Sequence, residues 1–257
     1  MPLQYDSCTA QVGGCELHYI ALGSGAPLVF LHGSGGFRLD EETFARLARR
    51  YRLLVPSLPG FDASTLGSVT TGPDVADITA AFIAQCAGGS AHVVGESFGG
   101  RIAAWLAIRH PATVRCLVLA APGGLRRGGG EQRVGLPPEE LQRRLFGRPL
   151  AHPLTEAQQR QREANVANAI HLSGPPWDEP LYQQLPSIRC PTLVLYGTAD
   201  QTMPRESMEL LAARVPGARL HCFEGAPHVL SAVVPEPFAA VIEEFLAAHD
   251  APATAPA

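Results

Sequence analysis

An α/β fold, with a mostly parallel sheet, helices on both faces and a helical insertion late in the chain, is predicted by three observations. Short apolar runs without polar alternation recur at Leu28-Val29-Phe30-Leu31, Leu53-Leu54-Val55, Val93-Val94, Leu117-Val118-Leu119 and Leu193-Val194-Leu195-Tyr196. Runs of that kind mark strands covered on both faces. Helical stretches separate them, and this alternation breaks between about Gly123 and Ser187. At 257 residues the chain is long enough for one large α/β domain with an insertion and too short for two ordinary enzymes.

In chain order, residues 8–22 alternate around Val12-Gly13-Gly14 and read as an antiparallel hairpin that opens the domain. Helices are expected over 41–50, 74–86, 98–110, 205–214 and 235–248. The third ends at Pro111 and is apolar nearly all round, from Ile102 through Trp105 to Ile108, so it should be buried against the sheet. The interrupting stretch opens on Arg126-Arg127-Gly128-Gly129-Gly130 and carries helix-like pieces near 138–146 and 155–169. Residues 1–124 and 188–250 are therefore expected to form two parts of one core, with 125–187 as a helical cap over one end. The Ala/Pro tail, 251–257, is expected to be disordered.

Composition narrows the function. The chain is 46% hydrophobic and 17% charged with a net charge of −4, which gives nucleic acid nothing to bind. All 20 basic residues are Arg, so Schiff-base chemistry and Lys-based phosphate binding are excluded. The N-terminus lacks the basic start and apolar stretch of a secretory signal, and no run approaches the ~18 apolar residues of a membrane span. A soluble, cytoplasmic protein with no membrane partner is expected. Cys8, Cys15, Cys86, Cys116, Cys190 and Cys222 show neither a Cys-Xaa-Xaa-Cys pair nor metal-like spacing with the nine histidines. They read as buried free thiols, with a Cys8–Cys15 pairing across the hairpin left open, and no metal or cofactor is expected.

The segment His92-Val93-Val94-Gly95-Glu96-Ser97-Phe98-Gly99-Gly100 runs a strand through Gly-Xaa-Ser-Xaa-Gly straight into a helix. The residue at the apex of so tight a turn holds a strained backbone, and Gly95 and Gly99 lack the Cβ atoms that would keep the two elements apart. Ser97 is thereby a candidate nucleophile, but the pattern is short enough to arise by chance and its partners must decide. Asp200 lies just past the strand ending at Tyr196, on the sheet edge where ligands bind in open parallel sheets. Taken alone, an Asp there is more often a turn former. His228 falls on a loop at the same edge, whereas His92 and His221 lie inside strands and read as structural. A serine hydroxyl needs a base near pH 7, and a carboxylate behind the imidazole fixes its tautomer. Ser97, Asp200 and His228 supply that set. In Leu31-His32-Gly33-Ser34-Gly35-Gly36 the glycines let backbone N–H groups approach a substrate, so Ser34 and Phe98 are the expected oxyanion-hole donors. Neither glycine-rich loop matches a nucleotide-binding pattern.

With these residues in view the chain resembles the α/β-hydrolase family. The resemblance rests on the His32-Gly33 loop, Leu58-Pro59-Gly60-Phe61, the Gly95–Gly100 elbow, Gly197-Thr198-Ala199-Asp200 and Pro227-His228, five landmarks in the family's order. It implies an eight-stranded, mostly parallel sheet with its second strand antiparallel, a helical cap after the sixth strand, and acyl transfer through a serine ester. Ser97 stands where epoxide hydrolases and haloalkane dehalogenases carry an aspartate. The Ser-Phe-Gly-Gly elbow and His-Gly-Ser-Gly loop are similar to those of carbon-carbon hydrolases of ring-fission products. Those enzymes usually have Pro at the place of Gly36 and Trp at that of Val229. Cofactor-free perhydrolases usually have an aromatic residue where this chain has Ser34.

Gly33, Gly35, Phe146, Trp177 and Val229 are expected to line the substrate pocket, with Leu181 a further apolar candidate. Packing within the cap is the commoner fate of such residues. Arg126, Arg127, Arg133, Arg143, Arg144 and Arg148 make the first half of the cap basic. A solvated face is the simpler reading of them, and a contact with a substrate carboxylate the sharper one. The leading expectation is a cofactor-independent serine esterase acting on a small, largely apolar acyl compound. The alternatives are a carbon-carbon bond hydrolase using the same residues, and a non-catalytic ligand-binding or sensing protein on the same fold. The expected partner is a small-molecule acyl substrate; a homodimer is compatible with the sequence, which does not set the oligomeric state.

Overall fold

Gly13 and Gly14, both at positive φ, make the tight turn between β1 (Asp6–Val12) and β2 (Cys15–Leu22), which pair antiparallel. The structure, a computed structural model, describes residues 3–127, 136–149 and 154–250. β2 is also antiparallel to β4 (Tyr51–Pro56), and every later pairing is parallel. With β3 (Ala26–Leu31), β5 (Ala91–Glu96), β6 (Val114–Ala120), β7 (Thr192–Gly197) and β8 (Arg219–Phe223), these form an eight-stranded sheet in the order β1-β2-β4-β3-β5-β6-β7-β8. This is the expected α/β-hydrolase sheet. Every residue of β5 and β7 is buried, which is why their sequences are continuously apolar.

Period-two alternation sorts the strand residues into two cores. Val29, Leu31, Val93, Leu117 and Leu119 face one side, where residues of α2 (Gly72–Cys86), α3 (Phe98–Arg109) and α7 (Arg205–Arg214) pack. Leu28, Phe30, Val94, Val118 and Ala120 face the other, against α1 (Glu41–Leu47) and α9 (Pro235–Ala247). In α3 the run from Phe98 to Ala107 is buried throughout, as its all-round apolarity predicts.

Between β6 and β7 the chain carries α4 (Pro138–Phe146), α5 (Glu156–Ser173) and α6 (Glu179–Gln184). A capping box between Thr155 and Gln158 starts α5, and the Asp178 carboxylate caps α6 by accepting the Leu181 N–H at 3.0 Å. The short α6 and α8 (Leu230–Val233) have too few residues to show a helical period in the sequence. Arg133 and the 251–257 tail lie outside the described residues.

All six cysteines are free, but only Cys15 and Cys116 are fully buried, and Cys222 is exposed on the edge strand β8. In the hairpin register Cys8 faces Tyr19 and Cys15 faces Val12, so the pairing left open by the sequence has no geometry to support it. Among the described residues no helix is long and apolar enough to cross a membrane, and no group of three His, Cys, Asp or Glu residues could hold a metal ion.

Candidate active site

Ser97 sits at φ 57°, a conformation that costs a non-glycine residue ~1–3 kcal/mol and persists only where its surroundings impose it. Here β5 and α3 impose it. A Cβ on Gly99 would fall on the Leu31 carbonyl, and one on Gly95 would lie 2.8 Å from Ala103 Cβ. The Ser97 N–H donates to Ala120 O at 2.8 Å, and Ser97 O accepts from Gly123 N–H at 2.9 Å. The apex is thus bonded to the end of β6 and the loop after it.

Asp200 follows β7 and His228 lies in the loop after β8, so parallel pairing carries both to the edge where β5 ends at Ser97. His228 Nε2 is 2.8 Å from Ser97 Oγ, and His228 Nδ1 is 2.7 Å from Asp200 Oδ2. The carboxylate can only accept, so Nδ1 carries the ring hydrogen and Nε2 accepts the Ser97 hydroxyl proton. Asp200 Oδ1 accepts from Thr202 N–H, Thr202 Oγ1 and Met203 N–H at 2.7, 2.7 and 3.1 Å. Burial pushes the Asp200 carboxyl up. The facing His228 and these hydrogen bonds outweigh it and hold the group below its ordinary value.

The loop opposite Ser97 is braced from beneath by His32. Its Nε2 accepts the Leu58 N–H at 3.0 Å, which leaves the hydrogen on Nδ1 to be donated to Gly33 O at 2.8 Å. Burial lowers the His32 pKa, consistent with a neutral ring. Phe61 packs edge-on against His32 at 4.9 Å and lies 5.4 Å from Phe98, placing the Leu58–Phe61 turn behind the site. Ser34 lines the cavity above Ser97, and a Cβ on Gly33 would stand 3.5 Å from Ser97 Cβ. Phe98 is the first residue of α3, so its N–H has no intrahelical acceptor.

A cavity of about 390 Å³ opens over Ser97 and His228. Gly33, Gly35, Phe146 and Val229 line it as expected from the sequence. Trp177 does not, which corrects that expectation. Its ring lies 4.3 Å beneath the Arg127 guanidinium, its Nε1 donates to Glu179 at 2.6 Å, and Leu125 bridges to its backbone. A cation over the ring and a carboxylate at its edge satisfy the indole away from the cavity. Leu181 is likewise absent from the cavity wall, buried in the core that covers α3. Arg143 and Arg144 pair with Glu140; Arg143 lies on a solvated face, whereas the Arg144 side chain is only 14% exposed, which departs from that reading.

Three groups of residues at the site escaped the sequence reading. Asn165 of α5 is buried and donates to Gly35 O at 3.0 Å and to Asp62 Oδ1 at 2.8 Å. Arg162, one helical turn earlier, lines the cavity and has no ion pair among the described residues. Burial, with Arg38 facing it, lowers its pKa. Buried Glu96, Asp40 and Ser231 form a polar cluster beside Ser97 with the half-exposed Arg38. Only the i, i+3 spacing of Arg162 and Asn165, which puts both on one helix face, was visible beforehand.

The alpha/beta hydrolase family profile matches residues 28–244. The chain is 31% identical over 265 residues to a 2-hydroxymuconate semialdehyde hydrolase from Pseudomonas sp., with 90% of each chain covered. It is 30% identical over 254 residues to a pimeloyl-(acyl-carrier protein) methyl ester esterase from Aeromonas hydrophila, covering 87% of this chain and 96% of that one. Among solved structures, a serine hydrolase involved in carbazole degradation superposes with a TM-score of 0.77 at 22% identity, over 95% of this chain and all of that one.

Proposed function

The chain belongs to the alpha/beta hydrolase family and is a hydrolase, and from that premise we propose that Ser97 is its nucleophile, His228 its general base and Asp200 the group that orients the base. The observation that carries this reading is the continuous chain from Ser97 Oγ through His228 to Asp200, at 2.8 and 2.7 Å. Ser97 attacks the acyl carbon as His228 Nε2 takes its proton, and Asp200 stabilises the imidazolium formed. The Ser34 and Phe98 N–H groups hold the developing oxyanion. The leaving group departs with the proton from His228, giving an ester on Ser97. Water, deprotonated through His228, then releases the acid.

The substrate class is a small carboxylic ester or related acyl compound, in keeping with the methyl ester esterase among the relatives. The test is labelling by a fluorophosphonate, read by mass spectrometry. A single adduct on Ser97, absent in Ser97→Ala, is expected; a folded wild-type protein that takes no label overturns the mechanism.

A second reading, cleavage of a carbon-carbon bond in a ring-fission acid, is favoured by Arg162. A guanidinium on the cavity wall with no ion pair among the described residues is an apt partner for a substrate carboxylate, and a semialdehyde hydrolase is among the relatives. Assays with p-nitrophenyl esters of increasing chain length beside a ring-fission dienoate separate the two. A dienoate preferred over every ester selects the second.

A further inference from the structure

Ser231 Oγ lies 3.0 Å from Arg38 Nη2, 2.9 Å from Asp40 Oδ2 and 2.8 Å from Glu96 Oε2. The Arg38 N–H donates to it. One hydroxyl hydrogen can serve only one of the two carboxyl groups, and the other would meet the oxygen lone pair to lone pair unless it carries a proton of its own. Asp40 already accepts from both arms of the Arg38 guanidinium, Nε on Oδ1 at 2.5 Å and Nη2 on Oδ2 at 2.8 Å, so both its oxygens are engaged as acceptors. Glu96 is 4% exposed and stands 3.8 Å from the nearest Arg38 nitrogen. The missing proton therefore belongs on Glu96.

We infer that Glu96 is a neutral carboxylic acid whose Oε2–H donates to Ser231 Oγ, while the Ser231 hydroxyl donates to Asp40, and that Glu96 in this form positions His228 against Ser97. Every donor and acceptor of the Ser231 hydroxyl is then used once. Glu96 Oε1 accepts the Ser231 N–H at 3.1 Å, and Thr43 Oγ1 donates to Ser231 O at 2.7 Å. Glu96 immediately precedes Ser97, and Ser231 is the third residue after His228. The network thus bonds the elbow to the loop that carries the base. Burial, reinforced by Asp40, raises the Glu96 pKa against the opposing pull of Arg38 and the Ser231 hydrogen bonds.

The charged and titratable groups around Glu96 are Arg38 and Asp40 from the loop after β3, and across the cavity Arg162 of α5, Asp62 and His228. Removing the Glu96 proton puts two carboxylates on one hydroxyl and a negative charge on the wall of the cavity that holds Ser97. Turnover should fall as that proton leaves. The inference rests on the reading of Ser97 as nucleophile.

Infrared spectroscopy of protein labelled with ¹³C-glutamate tests the proton directly. A protonated-carboxyl C=O band that shifts with the label and disappears as pH is raised is expected; no such band overturns the inference. In the pH profile of kcat/KM, Glu96→Gln, which keeps both a donor and an acceptor, should hold turnover within about threefold of wild type at neutral pH and lose the alkaline fall. A Gln variant with an unchanged alkaline limb overturns the positioning role. Fluorophosphonate labelling run alongside separates the two readings: labelling with no band overturns this inference alone, whereas failure to label overturns the nucleophile and the positioning role together.

Discussion

Asn165 and Asp62 form a reciprocal pair, in which Asn165 Nδ2 donates to Asp62 Oδ1 at 2.8 Å and Asn165 Oδ1 accepts the Asp62 N–H at 3.0 Å. The second Asp62 oxygen accepts from Phe37 N–H and Ser57 Oγ at 2.8 and 2.9 Å. Because Asn165 also donates to Gly35 O, helix α5 is bonded to the loop that carries Ser34 directly at Gly35 and, through Asp62, at Phe37. Replacing Asn165 by Leu removes these three bonds, together with the one its Oδ1 accepts from Gln161 at 3.2 Å, and strands buried polar groups, each worth ~1–3 kcal/mol. A loss of at least about 3 kcal/mol in urea unfolding is expected. If Ser34 is an oxyanion donor as proposed, its loosening should lower kcat for an ester about tenfold or more with KM little changed. A variant whose loss is entirely in KM would disconnect α5 from the oxyanion loop.

Asp200→Asn tests the orienting role. The amide can present Nδ2–H toward His228 and favour the tautomer with its hydrogen on Nε2, facing Ser97. Turnover should then fall about 10⁴-fold without loss of fold. The stability signature has a defined sign. The folded-state pKa of Asp200 is lowered, so its contribution to stability is present above the ordinary carboxylate pKa and fades as pH falls through the folded value. Thermal melts of wild type and variant should diverge at neutral pH and converge in acid. Curves that keep a constant offset down to that range would show that the charge on Asp200 does not stabilise the fold.

Much of this site was legible because parallel sheets turn sequence order into geometry. An apolar strand ending in a loop has to deliver that loop to the carboxyl edge, so Ser97, Asp200, His228 and the Gly33–Gly36 loop could be projected together without knowing how the rest packed. Trp177 failed because aromatic character does not say which way a ring faces; Arg127 and Glu179 capture it on another surface. Asn165 and Glu96 were illegible for a different reason. Their significance lies in partners 103 and 135 residues away in sequence, Asp62 and Ser231, and a polar residue on a helix or in a motif's variable position carries no mark of such a partner.

The elbow tolerates no side chain at Gly99. A Cβ there would collide with the backbone of Leu31 and His32, which cannot swing aside as a side-chain terminus can. Gly99→Ala should destabilise the fold by ~1–3 kcal/mol through backbone displacement. It should also abolish fluorophosphonate labelling, since the shift falls on the oxyanion loop. Full labelling at an unchanged rate would contradict the close approach of α3 to β3.

Asp178 anchors the region before β7 to the nucleophile helix. Its Oδ2 accepts from Arg101 Nε and Nη2 at 3.1 and 2.7 Å and from Trp105 Nε1 at 3.1 Å, all buried. Asp178→Ala leaves the Arg101 charge buried and unpaired, a change expected to destabilise by ~3–5 kcal/mol. Adding Arg101→Met to Asp178→Ala should recover part of that loss, because the stranded charge is then gone. Equal stability of the single and double variants would mean the pair matters only through packing.

Arg162 is placed on the cavity wall to read the charge of a substrate. Burial and the facing Arg38 act against its charge, yet a guanidinium retains its proton at any working pH, so the cavity wall presents a cation that no carboxylate among the described residues pairs. Arg38 is different, because Asp40 already engages two of its nitrogens. A substrate carboxylate reaching Arg162 would gain a charge-assisted hydrogen bond of ~1.5–3 kcal/mol. Arg162→Gln should therefore lower kcat/KM for an anionic substrate by about 10- to 150-fold while leaving a neutral p-nitrophenyl ester nearly unaffected. Raising ionic strength should weaken the anionic substrate only in the wild type. If Arg162→Gln slowed both substrates equally, the guanidinium would be bracing the cavity wall and not reading charge, and the esterase reading would stand without its carbon-carbon competitor.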